Sequence, residues 1–360
     1  MSSPVKQPLD GAPAARVLVA GASGFAGALA ADLVWRHPGL ELVEVTARSD
    51  VGSRLEQLYP QYEVPLELSE LDLDRLEGID AAIVAYPHGA SAPVVAELCE
   101  LGIKVVDLSA DFRLQRLTYE EWYGEHPAPK LLEEAVYGLT ELHREEITSA
   151  QLVANPGCYP TATVLALAPL AAAGLIEDVV VDAKSGVSGA GRAAADEMAR
   201  VTENEDTRPY KVGGHRHRPE IDQQLNRLEI AGSLGTETRA KTNGGVMNTP
   251  ITFVPHLLPF AQGELVSCYV RTGRELGADE LASLYEERYA NEPFVQLADT
   301  PPGVSEVRGT NLCRIHPAAS EDGSRTLVFA TIDNLWKGAA SQAVQNLNLM
   351  LGLPEGEGIS

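Results

Sequence analysis

The stretch that decides the fold is RVLVAGASGFAG, residues 16–27, in which a short apolar strand runs directly into a glycine-rich turn. A helical pattern follows over 28–35, and the apolar segment 40–46 has the pattern of a second strand. A strand–turn–helix–strand unit of about 30 residues is typical of dinucleotide-binding folds. The sequence therefore predicts an α/β protein with a Rossmann-type doubly wound parallel sheet.

The glycine-rich turn is the expected binding site for a dinucleotide pyrophosphate. Glycines let the backbone approach phosphate groups, and the start of the following helix supplies N–H donors and a favourable dipole. The predicted contacts from this turn are Gly21, Ser23, Gly24, Phe25 and Gly27.

The end of the second strand indicates which dinucleotide binds. NAD sites usually place an acidic residue there, whereas NADP sites favour arginine. Here the chain reads T-A-R-S over 46–49. The planar, permanently charged side chain of Arg48 suits a 2′-phosphate, and Ser49 can add a hydrogen bond. We therefore expect NADP(H); the alternative is that Arg48 is an ordinary solvated side chain.

Two later strands end in loops that are expected to line the same crevice. Pro87 and His88 follow the apolar segment 81–85, and we expect His88 to shape this loop near the cofactor. Arg113 follows the segment 104–108 and is a candidate phosphate clamp. An ion pair between Arg113 and Asp111 is the alternative.

Cys158 is the predicted nucleophile. It lies in N-P-G-C-Y-P-T, residues 155–161, after a short strand and before a helical pattern over 162–170. A thiol at the start of a helix faces the positive end of the helix dipole, which favours the reactive thiolate. The alternative is a cysteine buried for packing alone.

The second half of the chain is predicted to be rich in β-strands. It contains another glycine-rich loop, K-S-G-V-S-G-A-G-R over 184–192, which can hold phosphate or pack against a nicotinamide ring. We assign Ser188 and Gly189 to the cofactor, and Lys184 and Arg192 to phosphate.

The string H-R-H-R-P-E-I, residues 215–221, contains the candidate residues for acid–base chemistry. His217 lies closest to the predicted helix start at Pro219, so we assign it as the acid–base partner of the thiol. Glu220 can orient an imidazole or pair with Arg216. Because His-x-His has no third ligand nearby, we predict no metal site. The candidate substrate and phosphate contacts are Arg113, Asn155, Lys184, Arg192, His215 and Glu220.

The motif D-N-L-W-K-G-A-A, residues 333–340, is predicted to open a helix that runs to Leu351, with Asn334 as its cap and as a cofactor contact. This helix is expected to return to the first domain, before a polar tail from Leu353. We thus predict an NADP-binding domain at 1–157, completed by 335–360, and an α+β catalytic and dimerisation domain at 158–334.

Composition narrows the possible partners and location. The 360 residues carry a formal net charge of −23, which argues against a nucleic-acid partner. No apolar run approaches the roughly 20 residues that span a bilayer, and the polar start at 1–15 lacks a signal-peptide pattern. The four cysteines form no C-x-x-C pair. We therefore expect a cytoplasmic protein without a membrane partner.

Taken together, five ordered motifs between Arg16 and Leu353 make the chain resemble the N-acetyl-γ-glutamyl-phosphate reductases of arginine biosynthesis, relatives of aspartate-semialdehyde dehydrogenase. The motifs are G-A-S-G-F-A-G, L-S-A-D-F-R-L, N-P-G-C-Y-P-T, H-R-H-R-P-E-I and D-N-L-W-K-G-A-A. The resemblance places the family's nucleophile on Cys158 and its acid–base histidine on His217. Gln262 is a departure, because the family pattern has arginine before Gly263.

The resemblance also implies a reaction. The thiolate attacks an acyl phosphate, phosphate leaves, and NADPH reduces the resulting thioester to an aldehyde while His217 supplies a proton. The nearest alternative is the same reaction on N-acetyl-α-aminoadipyl phosphate, which is one methylene longer and hard to distinguish. An aspartyl phosphate substrate fits the histidine motif less well. A non-catalytic NADP-binding sensor would not need Cys158 and His217 together. We expect a homodimer or homotetramer.

Overall fold

A computed structural model describes residues 13–233 and 249–359 of the chain. The chain forms two compact units, unit 1 from Met1–Gly157 with Leu335–Ser360, and unit 2 from Cys158–Asn334. Most of the polar N-terminal stretch interpreted above, residues 1–12, lies outside the described residues. Among the helices that are described, none combines the length and apolarity needed to cross a bilayer.

Unit 1 is built on a six-stranded sheet in which every pairing is parallel. The strands are β1 (Ala15–Ala20), β2 (Leu40–Thr46), β3 (Ala81–Val84), β4 (Lys104–Asp107), β5 (Val136–Tyr137) and β6 (Leu152–Ala154). Their order is β2-β1-β3-β4-β6-β5. Because β1 lies between β2 and β3, the strand order reverses beside β1, and ligands bind at such reversals in open parallel sheets.

Helices α1 to α5 of unit 1 lie between consecutive strands along the chain. They are α1 (Phe25–Arg36), α2 (Leu55–Leu58), α3 (Ala92–Glu100), α4 (Arg116–Tyr123) and α5 (Thr140–Ser149). Val95 and Leu98 of α3 share a buried cluster with Leu18, Val84 and Val105 of the sheet. The predicted Rossmann-type sheet is confirmed.

The C-terminal segment completes unit 1, but not as the single capped helix expected from the sequence. A π-helical turn at Trp336–Ala340 precedes a helix at Ser341–Met350. Asn334 does not cap either of them, because Leu335 and Ala340 are the residues at the two helix starts. The predicted polar tail is also partly wrong, since Ile359 is 4% exposed and packs into the unit.

Unit 2 is built on a seven-stranded mixed sheet. Its strands are β7 (Ile176–Gly186), β8 (Arg208–Pro209), β9 (Ile251–Leu258), β10 (Glu264–Thr272), β11 (Val295–Leu297), β12 (Cys313–Ala319) and β13 (Thr326–Ile332), in the order β11-β12-β13-β10-β7-β9-β8. The central strand β10 pairs antiparallel with both β7 and β13. The predicted second domain of mixed α and β structure is confirmed.

Side chains alternate between the two faces of this sheet. The described helices of unit 2 are α6 (Cys158–Ala172), α7 (Ala195–Glu203), α8 (Arg218–Ser233) and α9 (Ala278–Tyr289). Helix α6 packs on β10 and β13. Val181 and Ala183 of β7 are fully buried, whereas Asp182 and Lys184 on the opposite face are partly exposed. Helix α6 itself is buried on almost every side, which explains its lack of charged residues.

Candidate functional site

The glycine turn of unit 1 is held against the ends of the neighbouring strands. The N–H groups of Gly21 and Ala22 both donate to the carbonyl of Thr46, at 2.8 and 2.9 Å. Gly21 has a φ of +91°, and a Cβ there would lie 2.6 Å from the carbonyl oxygen of Ala85. A Cβ on Gly27 would lie 2.2 Å from the Gly21 oxygen. Glycine is therefore required at both positions by close backbone approach.

Helix α1 begins at Phe25, three residues before the start expected from the sequence. Gly24 is its N-cap, and no side chain caps the helix there. The first N–H groups of α1 have no partner within the helix, as at every helix start, and this is the arrangement that binds phosphate oxygens. The hydroxyl of Tyr59 donates to the carbonyl of Ser23 at 2.7 Å and fixes the turn from outside.

Arg48 and Ser49 lie at the end of β2, beside this turn. The hydroxyls of Ser49 and Ser23 are 3.2 Å apart. The guanidinium carbon of Arg48 lies 4.9 Å from the centre of the Tyr86 ring, and one of its nitrogens donates to the carbonyl of Ala90. Stacking on an aromatic ring restricts the orientation of a guanidinium group that is otherwise exposed. The cation is thus presented at the rim of the turn.

The loops after β3 and β4 hold each other in place. The Nδ1 atom of His88 accepts the N–H of Ala110 at 3.1 Å. The carboxylate of Asp111 accepts N–H groups from Gly89 and Ala92, at 2.8 and 2.9 Å. These bonds use backbone groups of one loop to fix the other. His88 therefore belongs to the framework of the loop, beside the exposed Pro87.

Arg113 follows in the same loop system. It is 7% exposed, and its Nη2 atom donates to the carbonyl of Leu108 at 2.7 Å. Below it, Asp107 is fully buried and accepts hydrogen bonds from the hydroxyls of Ser91 and Ser109. Burial raises the pKa of Asp107 to about 6, although both hydroxyls act in the opposite direction. Sequence analysis did not identify this buried acid as a support for the loop.

In unit 2, Cys158 is itself the first residue of α6. The sequence predicted a turn at Cys158 and a helix from residue 162, so the thiol lies one turn deeper into helical structure than expected. The side chain is partly buried. Tyr159, the next residue, is 1% exposed and donates its hydroxyl to the carbonyl of His256 at 3.2 Å. This bond fixes the first turn of α6 on the sheet.

Both histidines of the H-R-H motif pack against Tyr159. The ring centres of Tyr159 and His217 are 5.8 Å apart, and those of Tyr159 and His215 are 5.6 Å apart. Tyr210, in an edge-to-face contact, and Phe253, in a tilted one, complete an aromatic cluster around His215. The structure thus brings His217 to the residue that follows Cys158.

The two histidines differ in what their rings can do. His215 is 9% exposed, and its Nδ1 atom accepts the N–H of His217 at 3.1 Å. Burial, together with the charges of Lys211 and Arg216, lowers the pKa of His215 to about 4. His215 is therefore neutral and serves as an acceptor within the motif. His217 is more exposed, and its carbonyl accepts the N–H of Ile221 at 3.1 Å, which places it at the start of α8.

Helix α8 begins at Arg218, close to the start that Pro219 indicated. Glu220 lies in its first turn and is 2% exposed. A buried carboxylate in the first turn interacts favourably with the helix dipole. It also lies three residues from His217 on the same segment of chain.

The second glycine-rich loop and Asn334 form one hydrogen-bonded group within unit 2. The side-chain amide of Asn334 donates to the Ser188 hydroxyl at 2.9 Å and accepts the N–H of Gly263 at 2.8 Å. A Cβ on Gly189 would lie 3.2 Å from the hydroxyl oxygen of Ser185. The predicted helix cap at Asn334 was wrong because its amide joins these two loops instead.

Two predicted substrate contacts point elsewhere. Lys184 lies on the face of the sheet opposite α6, and its ammonium is 2.6 Å from the carboxylate of Asp182. The amide of Asn155 is fully buried in unit 1, where it donates to the carbonyl of Ala339 and accepts from Asn346.

Glu264 is a residue of this site that sequence analysis missed. It is the first residue of β10 and is 0% exposed, with its register partners Ser185 and Ile332 on either side. Its carboxyl group interacts with the thiol of Cys158, and burial raises its pKa to about 8. The available signal was the strand pattern, because Glu264 falls in phase with the apolar residues Val266 and Val270.

Gln262, the departure from the family pattern, lies just before this strand. The side chain of Arg308 donates to the Gln262 carbonyl at 3.1 Å and lies 5.9 Å from the centre of the Phe260 ring. A guanidinium group is therefore present at this corner of unit 2, although it comes from another part of the chain.

Both units match the models of known protein families. Residues 16–150 match the model of the semialdehyde dehydrogenase NAD-binding domain, and residues 158–334 match that of the semialdehyde dehydrogenase dimerisation domain. Among solved structures, aspartate semialdehyde dehydrogenase II from Vibrio cholerae shares the fold, with a TM-score of 0.70 at 18% identity over 94% of this chain and 98% of that one.

Curated relatives are much closer in sequence. The N-acetyl-gamma-glutamyl-phosphate reductase of Dehalococcoides mccartyi (strain BAV1) is 44% identical over 94% of this chain and 95% of its own length. The protein of that name from Thermus thermophilus is also 44% identical, over 94% of this chain and 96% of its own length. The chain therefore belongs to the N-acetyl-gamma-glutamyl-phosphate reductase family and is an oxidoreductase.

Proposed function

We propose that the protein uses NADPH to reduce N-acetyl-L-glutamyl 5-phosphate to N-acetyl-L-glutamate 5-semialdehyde and phosphate, through a thioester on Cys158, in arginine biosynthesis. The observation that carries the proposal is the position of Cys158 at the first residue of α6, with His217 packed against the adjacent Tyr159. The names of the curated relatives support the choice of substrate.

Cys158 is the group proposed to react with the acyl phosphate. The start of a 15-residue helix favours negative charge on sulfur, and the thiolate is the nucleophilic form of cysteine. The sulfur forms a bond to the carbonyl carbon, the bond from that carbon to the phosphate oxygen breaks, and its electron pair leaves with phosphate. The product of this step is a thioester on Cys158.

His217 is proposed to handle the proton. The reduction of the thioester is the chemistry supplied by a bound nicotinamide, which delivers a hydride to the carbonyl carbon. The bond between carbon and sulfur then breaks, the electron pair returns to Cys158, and His217 gives a proton to the sulfur. His217 regains that proton when the thiol next ionises. His215 is less suited to this role, because burial keeps its imidazole neutral.

The residues around the glycine turn fit a dinucleotide. Gly21 and Gly27 leave no room for a Cβ, so the backbone of the turn stays open to a pyrophosphate beside the start of α1. We propose that Gly21, Ser23, Gly24, Phe25 and Gly27 hold the pyrophosphate. Pro87 and His88 would form the neighbouring wall, and Ser188, Gly189 and Asn334 are the proposed contacts from unit 2.

NADP(H) is the proposed form of the cofactor because Arg48 and Ser49 lie at the end of β2. We expect Arg48→Ala to raise the KM for NADPH roughly tenfold or more, through loss of a charge-assisted contact to the 2′-phosphate, while the KM for NADH changes little. Arg75→Ala, at a highly exposed arginine of the same unit, is the matched control. Equal changes for the two cofactors would contradict the assignment.

We propose that Arg113 and Arg192 bind the phosphate of the substrate. His215 and Glu220 are proposed to support the histidine motif. Arg113 is largely buried in the loop after β4, so little side-chain entropy is left to lose on binding. Lys184 and Asn155 are not carried into the proposal, because their side chains have other partners.

We also propose a cytoplasmic homodimer or homotetramer. The sheet face of unit 2 opposite α6 presents partly exposed apolar side chains, among them Val180, Leu265 and Phe329, and apolar faces of this kind commonly pair in oligomers. No disulfide joins the four cysteines, all of which are described, as is usual for proteins of reducing compartments.

The decisive experiment measures NADP reduction in the reverse direction, with phosphate and either N-acetylglutamate semialdehyde or the longer acetylaminoadipate semialdehyde. We expect a strong preference for the shorter aldehyde. Cys158→Ser should abolish turnover and leave the Kd for NADPH nearly unchanged, whereas Cys99→Ser, at a thiol in unit 1, should retain turnover. Equal or reversed preference would assign the protein to lysine synthesis or to a dual role.

Substantial turnover in Cys158→Ser would contradict the thioester mechanism. Absence of turnover with either aldehyde in the unmodified protein, together with tight NADPH binding, would instead indicate a sensor.

A further inference from the structure

Glu264 is a fully buried carboxyl group in the same unit as the proposed nucleophile. Neither of its oxygens is exposed, and among the described residues neither has a hydrogen-bond partner. Its strand β10 packs against α6, the helix that begins at Cys158, and the thiol of Cys158 is the first neighbour that acts on this carboxyl. A buried acid normally has full hydrogen bonding or a cation, so its position beside a reactive thiol calls for an explanation.

The charges that act on Glu264 are acidic groups. Cys158 faces it from the start of α6, and Asp333 acts on it from the segment after β13. Tyr159, also on α6, is influenced by the charge of Glu264 and by that of Cys158. The adjacent strands contribute Ser185 and Ile332, neither of which is charged. No cation among these neighbours would stabilise a carboxylate.

Two neighbouring acids in a buried site cannot both lose their protons easily. The first proton that leaves the pair creates one negative charge, and a second charge at close range is strongly disfavoured. The two groups therefore titrate as a pair. If the remaining proton lies on the carboxyl, that group can donate a hydrogen bond to the sulfur.

We propose that Glu264 is a positioning residue for Cys158, and that the two side chains share one proton when the thiolate forms, with the protonated carboxyl donating a hydrogen bond to the sulfur. The thiol proton passes to His217, and the carboxyl keeps its own. The same donor would stabilise the sulfur again when the bond between carbon and sulfur breaks. The proposal rests on Cys158 as the nucleophile proposed above.

Ionisation of Glu264 at alkaline pH should oppose the thiolate. As the pH rises through about 8, loss of the carboxyl proton removes the donor and places a second negative charge beside the sulfur. The thiolate fraction of Cys158 should therefore rise over a wider pH range than for an isolated thiol. Because interacting sites titrate in two steps, this broadening is the signature of the shared proton.

The test is the rate at which iodoacetamide alkylates Cys158, measured from pH 6 to 10 by mass spectrometry of the peptide that contains it. Glu264→Gln keeps a neutral donor but cannot ionise. We expect its alkylation curve to narrow to a single-proton transition, with a rate near pH 8.5 roughly tenfold above that of the unmodified protein, as for sites coupled by about one pK unit.

Glu264→Leu separates the effect of the hydrogen bond to the sulfur from the effect of the carboxylate charge. It removes both the proton donor and the ionisable group, so the thiolate loses its hydrogen bond, and alkylation should be slower than in Glu264→Gln at every pH. Glu229→Gln is the matched control, because Glu229 is also a buried glutamate of unit 2 but accepts a hydrogen bond from Thr249. Its alkylation curve should match that of the unmodified protein.

A purely structural role would lower the Tm of the Glu264 variants and leave the alkylation curve unchanged, and this result would overturn the proposal. If neither variant folds, infrared difference spectra of the unmodified protein before and after alkylation of Cys158 provide the second measurement. The stretching band of a protonated carboxyl should shift, and an unchanged band would also overturn it. Neither measurement depends on turnover. Failure of this proposal can therefore be distinguished from failure of the proposed role of Cys158 as nucleophile, which the turnover of Cys158→Ser tests.

Discussion

Glu141 and Glu264 are both buried glutamates, but the neighbours of their carboxyl groups differ in charge. In unit 1, Glu141 accepts a hydrogen bond from the ammonium of Lys337 at 2.5 Å, and both side chains are essentially inaccessible to solvent. In unit 2, Glu264 lies beside a thiol and Asp333, and its pKa is raised to about 8. One acid is paired with a buried cation, and the other keeps its proton.

The comparison shows why burial alone does not reveal a role. An ion pair such as Glu141 and Lys337 fixes the geometry of its surroundings, and Gln345 extends it by accepting from the same ammonium at 2.8 Å. A protonated acid has no such partner and can exchange its proton at moderate pH. The first arrangement suits a framework, and the second suits a site where charge changes during a reaction.

The largest predicted effect comes from breaking the ion pair. Lys337→Met should lower the free energy of unfolding of unit 1 by about 3–5 kcal/mol, because it leaves an uncompensated buried carboxylate. All three tryptophans of the chain, Trp35, Trp122 and Trp336, belong to unit 1, so urea denaturation followed by tryptophan fluorescence reports on this unit.

The double variant Lys337→Met with Glu141→Leu is the control for that prediction. Replacing both charged groups by apolar ones removes the unpaired charge, so most of the lost stability should return. A double variant as unstable as the single one would mean that the loss comes from packing of the lysine side chain, and not from the charge.

The second prediction concerns the pH dependence of stability. The pKa of Glu264 is raised from 4.5 to about 8 in the folded protein, so the folded state holds this proton more tightly than the unfolded state. The stabilisation is complete below about pH 4.5 and is lost as the pH rises towards 8. Relative to the unmodified protein, Glu264→Gln should therefore gain stability over this window, on the order of 3 kcal/mol.

Circular dichroism at a series of pH values between 4.5 and 8.5 measures this gain. The partly buried Asp222, whose pKa is also raised, to about 6, is present in both proteins and cancels in the difference. Parallel stability curves for the two proteins would show that Glu264 does not hold its proton in the folded state.

The smallest effect is expected at an exposed ion pair. Arg116 and Glu120 are one helical turn apart on α4, with 2.7 Å between their charged atoms, but the arginine is largely in solvent. Arg116→Ala should leave the urea midpoint unchanged within error, since solvent screens such pairs. A clear loss there would mean that proximity alone, without burial, accounts for the effect at Lys337.

The fold could be predicted largely from local patterns. The glycine turn after β1 determines its own conformation, because Gly21 and Gly27 satisfy backbone constraints that act over a few residues. Cys158 was recognisable for the same reason, since the prolines and glycine around it mark a helix start. The sequence did not indicate that α6 already begins at Cys158. The first turn of this helix is fixed by Tyr159, whose hydrogen-bond partner His256 is about 100 residues away in sequence.

The parts that escaped prediction depend on long-range partners. Asn334 has a residue type and position typical of a helix cap, but its amide bonds to Ser188 and Gly263, which no local pattern indicates. Lys184 is a cation in a glycine-rich string, yet strand alternation turns it to the face opposite α6. Glu264 was detectable in principle from its phase within β10, but its neighbour Cys158 was not.

The return of the C-terminal segment to unit 1 has a consequence for synthesis on the ribosome. Residues 158–334 emerge before Lys337 and Asn346, which supply the partners of Glu141, Thr140 and Asn155 in the first unit. A nascent chain can complete the hydrogen bonding of the second unit while the first still lacks its last buried helix. The part of the protein that is translated first can therefore complete its packing only after the second unit has been synthesised.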